Sequence, residues 1–116
     1  MPFRRGAVIL APFPFTEKRV SKKRPAVVVS GDAYNAAGPD IIVAVITSRT
    51  NSPSRPGDHR VRNWRSAGLL KPSLVRARLS TLHGSVVIRQ LGLMSQEDMA
   101  GVDKGLLIAL ALDGSN

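Results

Sequence analysis

Three short apolar runs near the start of the chain constrain the fold more than any other feature: AVILAP (Ala7 to Pro12), PAVVVS (Pro25 to Ser30) and DIIVAVIT (Asp40 to Thr47). Each is short for a helix and rich in Val and Ile, whose branched side chains are stiff at χ1 and pack well on a pleated surface. Each therefore predicts a strand. Gly6 stands before the first, and Pro12 and Pro14 supply its far boundary. Between the second and third, GDAYNAAGPD is dense in turn formers and predicts a loop.

The segment Ser48 to Gly68 carries Arg49, Arg55, Arg60, Arg62 and Arg65 among Pro, Gly, Ser and Asn without helical periodicity. It reads as a long basic loop with a short strand near His59 to Val61, and such loops in compact domains are usually functional or mobile. Pro72 to Leu79, PSLVRARL, alternates, with Leu74, Arg76 and Arg78 on one face and Ser73, Val75, Ala77 and Leu79 on the other, a half-exposed strand presenting two arginines. TLHGSVVIR follows as two strand pieces around a turn at His83-Gly84. Only the end of the chain has helical spacing. Ser95 reads as an N-cap followed by the acids Glu97 and Asp98, and Met99, Val102, Leu106, Ala109 and Leu110 form one apolar stripe for docking on a sheet, weakened slightly by Gly101 and Gly105. The sum is a single, mainly β domain, a small partly open barrel closed by a C-terminal α-helix, and the length of 116 residues suits one core.

Charge narrows the partners. Seventeen Lys and Arg against eight Asp and Glu leave a formal net charge of +9, which in so small a domain points to a polyanion, nucleic acid first. General solubility and attraction to anionic lipid are the bland alternatives. No run approaches the roughly 18 to 20 apolar residues of a membrane span, and nothing at the start has signal-peptide order, so a cytoplasmic protein without membrane contact is expected. With no Cys, thiolate metal sites and Cys nucleophiles are excluded. His59 and His83 are the only histidines, far apart and without accompanying carboxylate spacing, so no metal or other cofactor is expected. There is no P-loop, dinucleotide fingerprint or nucleophile motif.

What remains is a basic surface with hydroxyls at strand ends. Lys22, Lys23 and Arg24 run directly into the second strand, and Thr47 and Ser48 end the third. If those strands are antiparallel neighbours, Arg24 comes beside Thr47, and a rigid guanidinium fork with a hydroxyl suits a phosphate. The spacing equally allows a solvated edge charge and a hydroxyl bonding the adjacent turn.

At these residues the chain resembles a known family. RRGAVILAPFPFT, KKRPAVVVS, DIIVAVITS, KPSLVRARLSTL and the terminal helix follow the order found in MazF/PemK-type toxins of bacterial toxin–antitoxin modules, from about Arg4 to Leu112. The resemblance implies an SH3-like barrel, a homodimer, and a metal-independent, sequence-specific endoribonuclease acting on single-stranded RNA. It also implies a cognate antitoxin whose acidic, disordered segment occupies the RNA groove. By position the family's Arg-Pro arginine is Arg24, its Ile-Thr hydroxyl is Thr47, and the arginine of the later Val-Arg strand is Arg76. The chemistry implied is attack of a ribose 2′-hydroxyl on the neighbouring phosphate, with Arg24 and Arg76 stabilising charge and Thr47 orienting the phosphate. Lys22, Lys23, Ser48, Arg49 and Arg78 are the expected RNA contacts, and Phe15, Trp64 and arginine planes the candidates for base stacking. The loop Phe15 to Lys23 is expected to cover the groove.

Three departures qualify the resemblance. Gly6-Ala7 stands where family members commonly have Gly-Asp, Ala77-Arg78 replaces the acid that follows the Val-Arg arginine, and His83 replaces an Asp. Histidine as a residue type suits proton transfer near neutral pH, so His83 is a candidate proton carrier as well as a turn residue. The missing acids also keep open a catalytically degenerate module that binds RNA or an antitoxin without cleaving, and a general basic domain of the same fold.

Overall fold

The computed structural model describes residues 3–14 and 21–114. Their strands form one antiparallel sheet of six, in the order β4-β5-β3-β2-β1-β6, which curls into a partly open barrel with a helix at its C-terminal end. The strands are β1 (Ala7–Pro14), β2 (Ser21–Val28), β3 (Asp40–Thr47), β4 (His59–Arg60), β5 (Leu74–His83) and β6 (Arg89–Leu93); the helices are α1 (Asp32–Ala37) and α2 (Gln96–Ala109).

The three apolar runs lie side by side at the centre and are buried on both faces, which is why they read as continuous hydrophobic stretches. Val8, Val27, Ala44 and Ile46 point into one core, where Val102 of α2 and the loop residues Val61, Ala67 and Leu69 cover them. The intervening residues Ile9, Ala26, Val28, Val43 and Val45 point into a second core closed by Phe3, Leu82 and Val87. Each fully buried Val or Ile contributes about 1.5–3 kcal/mol, so the two faces together hold the sheet.

Several boundaries differ from expectation, each for a local reason. Pro14 is the last residue of β1, but Pro12 does not end it. Pro12 lies inside the strand, paired with Lys23, beyond the last residue, Leu10, at which β6 pairs with β1, so its missing N–H faces an open edge. β2 begins at Ser21 rather than Pro25, so Ser21 to Lys23 belong to a strand instead of a covering loop. Pro25 is tolerated there because the pairing of β2 with β3 starts one residue later, at Ala26. The stretch read as a loop contains α1, whose buried Asn35 donates to the carbonyls of Phe3 (2.8 Å) and Ser30 (3.2 Å). β5 continues through Thr81 to His83, and a 3-10 turn over Gly84–Val86 precedes β6, which starts only at Arg89.

β5 also breaks the simple alternation expected of it. Ala44 pairs with Leu79 and Ile46 with Val75, so Arg76, Ala77 and Arg78 together oppose the single residue Val45. This bulge redirects the two arginines, as bulges beside functional sites commonly do.

Ser95 caps α2 as expected, accepting the Asp98 N–H at 3.1 Å. Met99, Val102 and Leu106 dock on the sheet, whereas Ala109 and Leu110 remain exposed. The glycines of α2 serve close packing. A Cβ on Gly101 would lie 2.2 Å from the His59 ring, and one on Gly105 2.2 Å from the Gly57 carbonyl oxygen.

Asp98 is fully buried and ties α2 to the segment after β4. Its carboxylate accepts the N–H groups of Arg62 (2.8 Å) and Asn63 (2.9 Å), the Ser95 hydroxyl (3.2 Å) and Nε2 of His59 (2.8 Å). Burial would raise its pKa, but these donors outweigh burial and hold the carboxyl below its ordinary value of 3.8. A depressed folded pKa stabilises the fold above the unfolded value, and that stability is lost as the pH falls through the folded value. Asp98→Asn should cost about 2–3 kcal/mol at neutral pH by breaking this set of bonds. It should also flatten the acid limb of stability, which urea unfolding between neutral pH and pH 3 measures; an unchanged acid limb would contradict the assignment.

Candidate nucleic-acid interface

The register of β2 on β3 builds the site. Ala26 pairs with Val45 and Val27 with Ala44; carrying that register two residues further sets Arg24 opposite Thr47. Arg24 therefore stands at the point where β2 leaves the core and β3 ends, half-buried, while Lys22 and Lys23 beside it are exposed.

Two grooves meet at Thr47. The first, of about 720 Å³, takes Lys22, Lys23 and Arg24 from β2, Thr47 and Ser48 from the end of β3, and Arg89 and Gln90 from β6. Its far wall is the turn Gly68 to Lys71. Gly68 has φ +83°, and a Cβ there would lie 2.1 Å from the Leu91 carbonyl oxygen, so only glycine lets this wall press against β6. The second groove, of about 560 Å³, contains Thr47, Arg49, Ser52, Asp58, Arg76 and Arg78. Thr47 is thus shared, with Arg24 on one side of it and Arg76 on the other.

Thr47 does accept a hydrogen bond from the adjacent turn, the Arg49 N–H at 3.2 Å, as one reading of the sequence expected. A hydroxyl oxygen so held still has its own proton to donate, and the bond fixes its direction. Arg76 is ordered as well. One guanidinium nitrogen donates to the Ser52 hydroxyl at 2.7 Å, and the other lies 3.3 Å from the Asp58 carboxylate.

Of the residues singled out in the sequence, Arg24, Thr47, Lys22, Lys23 and Ser48 are brought together in the first groove, and Arg76, Arg49 and Arg78 join Thr47 in the second. Phe15 lies outside the described residues, as does most of the loop expected to cover the groove. His83 is not brought to the site. It pairs with Asp40, at the opposite end of β3 from Thr47, about 23 Å along the strand. There its Nδ1 accepts the Ser85 N–H at 3.2 Å and caps the 3-10 turn. Trp64 packs half-buried on the first core with the Arg65 guanidinium 4.6 Å over its ring. Lys71, Arg89, Gln90, Ser52 and Asp58 escaped the sequence reading, because they reach the grooves by pairings distant in sequence.

The chemistry available follows from this set. Among the described residues lining the first groove, Lys22, Lys23, Arg24, Lys71 and Arg89 are cations and no carboxylate is present. Such a groove attracts a phosphate backbone independently of sequence. Guanidinium and hydroxyl groups are suited to binding phosphate oxygens rather than ligating a divalent cation.

Comparisons with known proteins agree with the architecture. A Mycobacterial endoribonuclease solved in complex with its cognate antitoxin superposes with a TM-score of 0.79 at 22% identity, over 95% of this chain and 96% of that one. MazF from Deinococcus radiodurans gives a TM-score of 0.73 at 22% identity over 99% of each chain. The Mycobacterium tuberculosis toxin MazF-mt6 gives 0.72 at 18% identity, over 92% of this chain and 96% of that one. At these identities the likeness establishes a common fold. The family model of the PemK-like, MazF-like toxins of type II toxin-antitoxin systems matches residues 4–110, and the chain belongs to that family.

Proposed function

We propose that the chain is a metal-independent, sequence-specific endoribonuclease that cleaves single-stranded RNA and is neutralised by a cognate antitoxin. The observation that carries this reading is the placement of Arg24 opposite Thr47 at the junction of two arginine-bearing grooves, in a chain of the toxin family.

In the proposed step the ribose O2′ attacks the adjacent phosphorus, the O2′–P bond forms and the P–O5′ bond breaks. The O2′ proton is lost and O5′ gains one, leaving a 2′,3′-cyclic phosphate and a free 5′-hydroxyl. Charge accumulates on the non-bridging oxygens as phosphorus becomes five-coordinate. Arg24 and Arg76, on either side of Thr47, are assigned to that charge, since donors aimed at developing oxyanions are often the largest catalytic term. Thr47 is assigned to orient the phosphate through its hydroxyl proton. Arginine stays protonated in proteins and is a poor base, so neither guanidinium is given a proton-transfer role. Lys22 and Lys23, exposed on β2, and Ser48, Arg49 and Arg78 hold the flanking backbone.

The antitoxin would present an acidic, disordered segment to the same cations, in keeping with the net charge of +9. The reading includes a homodimer, supported by Val86, Ile88 and Leu93, which remain exposed at and just before the edge strand β6.

Purified protein incubated in EDTA with a long single-stranded RNA should cut at one short motif and leave cyclic-phosphate and 5′-hydroxyl ends. RNA that is bound but intact would instead favour a non-cleaving binding module. Arg24→Ala and Thr47→Ala should each lower single-turnover cleavage about a hundredfold or more while changing RNA affinity only a few-fold, because their contacts strengthen as charge develops. Lys22→Ala or Lys23→Ala should weaken binding and reduce its salt slope by about one unit or less each. If all four substitutions altered only affinity, the catalytic assignment would be wrong.

A further inference from the structure

Among the described residues lining the two grooves, Asp58 is the only carboxylate. Its side chain and its backbone both bond Arg55, closing a short turn. Its Oδ2 accepts the Arg55 N–H at 2.8 Å, and its own N–H donates to the Arg55 carbonyl at 3.0 Å. The same Oδ2 lies 3.3 Å from the Arg76 guanidinium. Both side chains are largely buried, Asp58 at 8% and Arg76 at 16% exposure. On its other branch Arg76 donates to Ser52, whose hydroxyl donates in turn to the Arg49 carbonyl at 2.7 Å.

A buried ion pair is weak evidence for stability, because desolvation offsets most of its attraction. Here the Asp58 carboxylate supplies attraction, through an ion pair to Nη1 without hydrogen-bond geometry, that keeps the guanidinium in the groove, while the Ser52 hydrogen bond on the other branch gives its direction. Arg76 belongs to the bulge in which three residues of β5 oppose one of β3, so the strand's own alternation does not fix where the guanidinium points. Arg49, Arg55 and Arg78 line the same groove, and their repulsion would drive an unanchored Arg76 toward solvent.

We propose that Asp58 is the positioning residue of the reaction site: it holds the Arg76 guanidinium against a phosphate bound at Thr47, acting through Arg76 and not on RNA itself. This inference rests on the ribonuclease reading above.

The test is a double-mutant cycle on single-stranded RNA cleavage, with kcat and KM measured for the parent, Asp58→Asn, Arg76→Ala and the pair, and urea unfolding as a check on folding. Asp58→Asn should lower kcat about tenfold or more with KM within about twofold, since a guanidinium displaced by an ångström loses much of its effect. The same substitution should change little once Arg76 is already Ala. Ser52→Ala, which removes the other anchor, should lower kcat in the same direction and less steeply; this arm decides the matter if Asp58→Asn unfolds or Arg76→Ala leaves no measurable rate.

An equal loss from Asp58→Asn in both backgrounds would overturn the proposal in favour of a direct or purely structural role. A rise in kcat or RNA affinity would also overturn it, showing that Asp58 masks Arg76. If the parent cleaves and Asp58→Asn and Ser52→Ala both cleave equally well, the positioning role fails while the ribonuclease reading stands. If the parent itself leaves RNA intact, both fall.

Discussion

The pairing of β2 with β3 is the constraint on which the site depends. Ala26 against Val45 and Val28 against Val43 are core pairs, and a slip of one residue would turn every buried side chain on β2 to the opposite face. The register is therefore enforced by the two cores. The same register, carried outward to where the strands leave the core, sets a guanidinium beside a hydroxyl. Arg24 and Thr47 need no packing of their own to be placed accurately, because residues two positions inward are immobilised for them. A site on strand ends inherits the rigidity of the sheet, which is what a reaction sensitive to ångström displacements requires.

Most of this was legible because it is periodic and local. The apolar runs, the exact span of β3, the cap at Ser95 and the single docking helix each follow from residues adjacent in sequence, and so does the juxtaposition of Arg24 with Thr47 once antiparallel pairing is assumed. The errors arose where partners decide. Pro12 read as a terminator, as Pro14 did, yet only Pro14 ends β1: a proline ends a strand only where its N–H is needed, and β6 is too short to need it at Pro12. The alternation expected at Arg76 and Arg78 failed because a bulge is a property of two strands in register, invisible in one of them. α1 was missed for a similar reason. Asp, Asn and Gly favour turns in isolation, yet Asn35 is drawn inward by carbonyls from Phe3 and Ser30, a bond set that no local pattern announces.

The two histidines illustrate the same division between local and distant information. Either could have served a reaction by its chemistry, and topology uses both elsewhere. His83 caps a turn at the far end of β3, and His59 meets the buried Asp98 beneath α2. That second contact makes α2 more than a cover for the core. It fixes the segment from His59 to Asn63, and with it the outgoing end of the long basic loop that carries Asp58. Packing under the helix and the orientation of Arg76 in the second groove are thus linked through a few residues of backbone.

The cations converging on the grooves also carry a cost that bears on partner choice. Lys22, Lys23, Arg24, Lys71 and Arg89 around one groove, and Arg49, Arg55, Arg76 and Arg78 around the other, repel one another, and within the second groove Asp58 offsets only part of that repulsion. Any polyanion laid along both grooves relieves it, whether its charges are phosphates or carboxylates. Such a ligand gains from the release of counterions and stabilises the folded chain by mass action. An acidic antitoxin segment and an RNA would therefore exclude one another through shared charge alone, without needing to imitate each other's contacts. Discrimination between them would then fall to Arg24, Thr47 and Arg76, where geometry rather than net charge matters, because a tetrahedral phosphate and a planar carboxylate ask differently of the same donors.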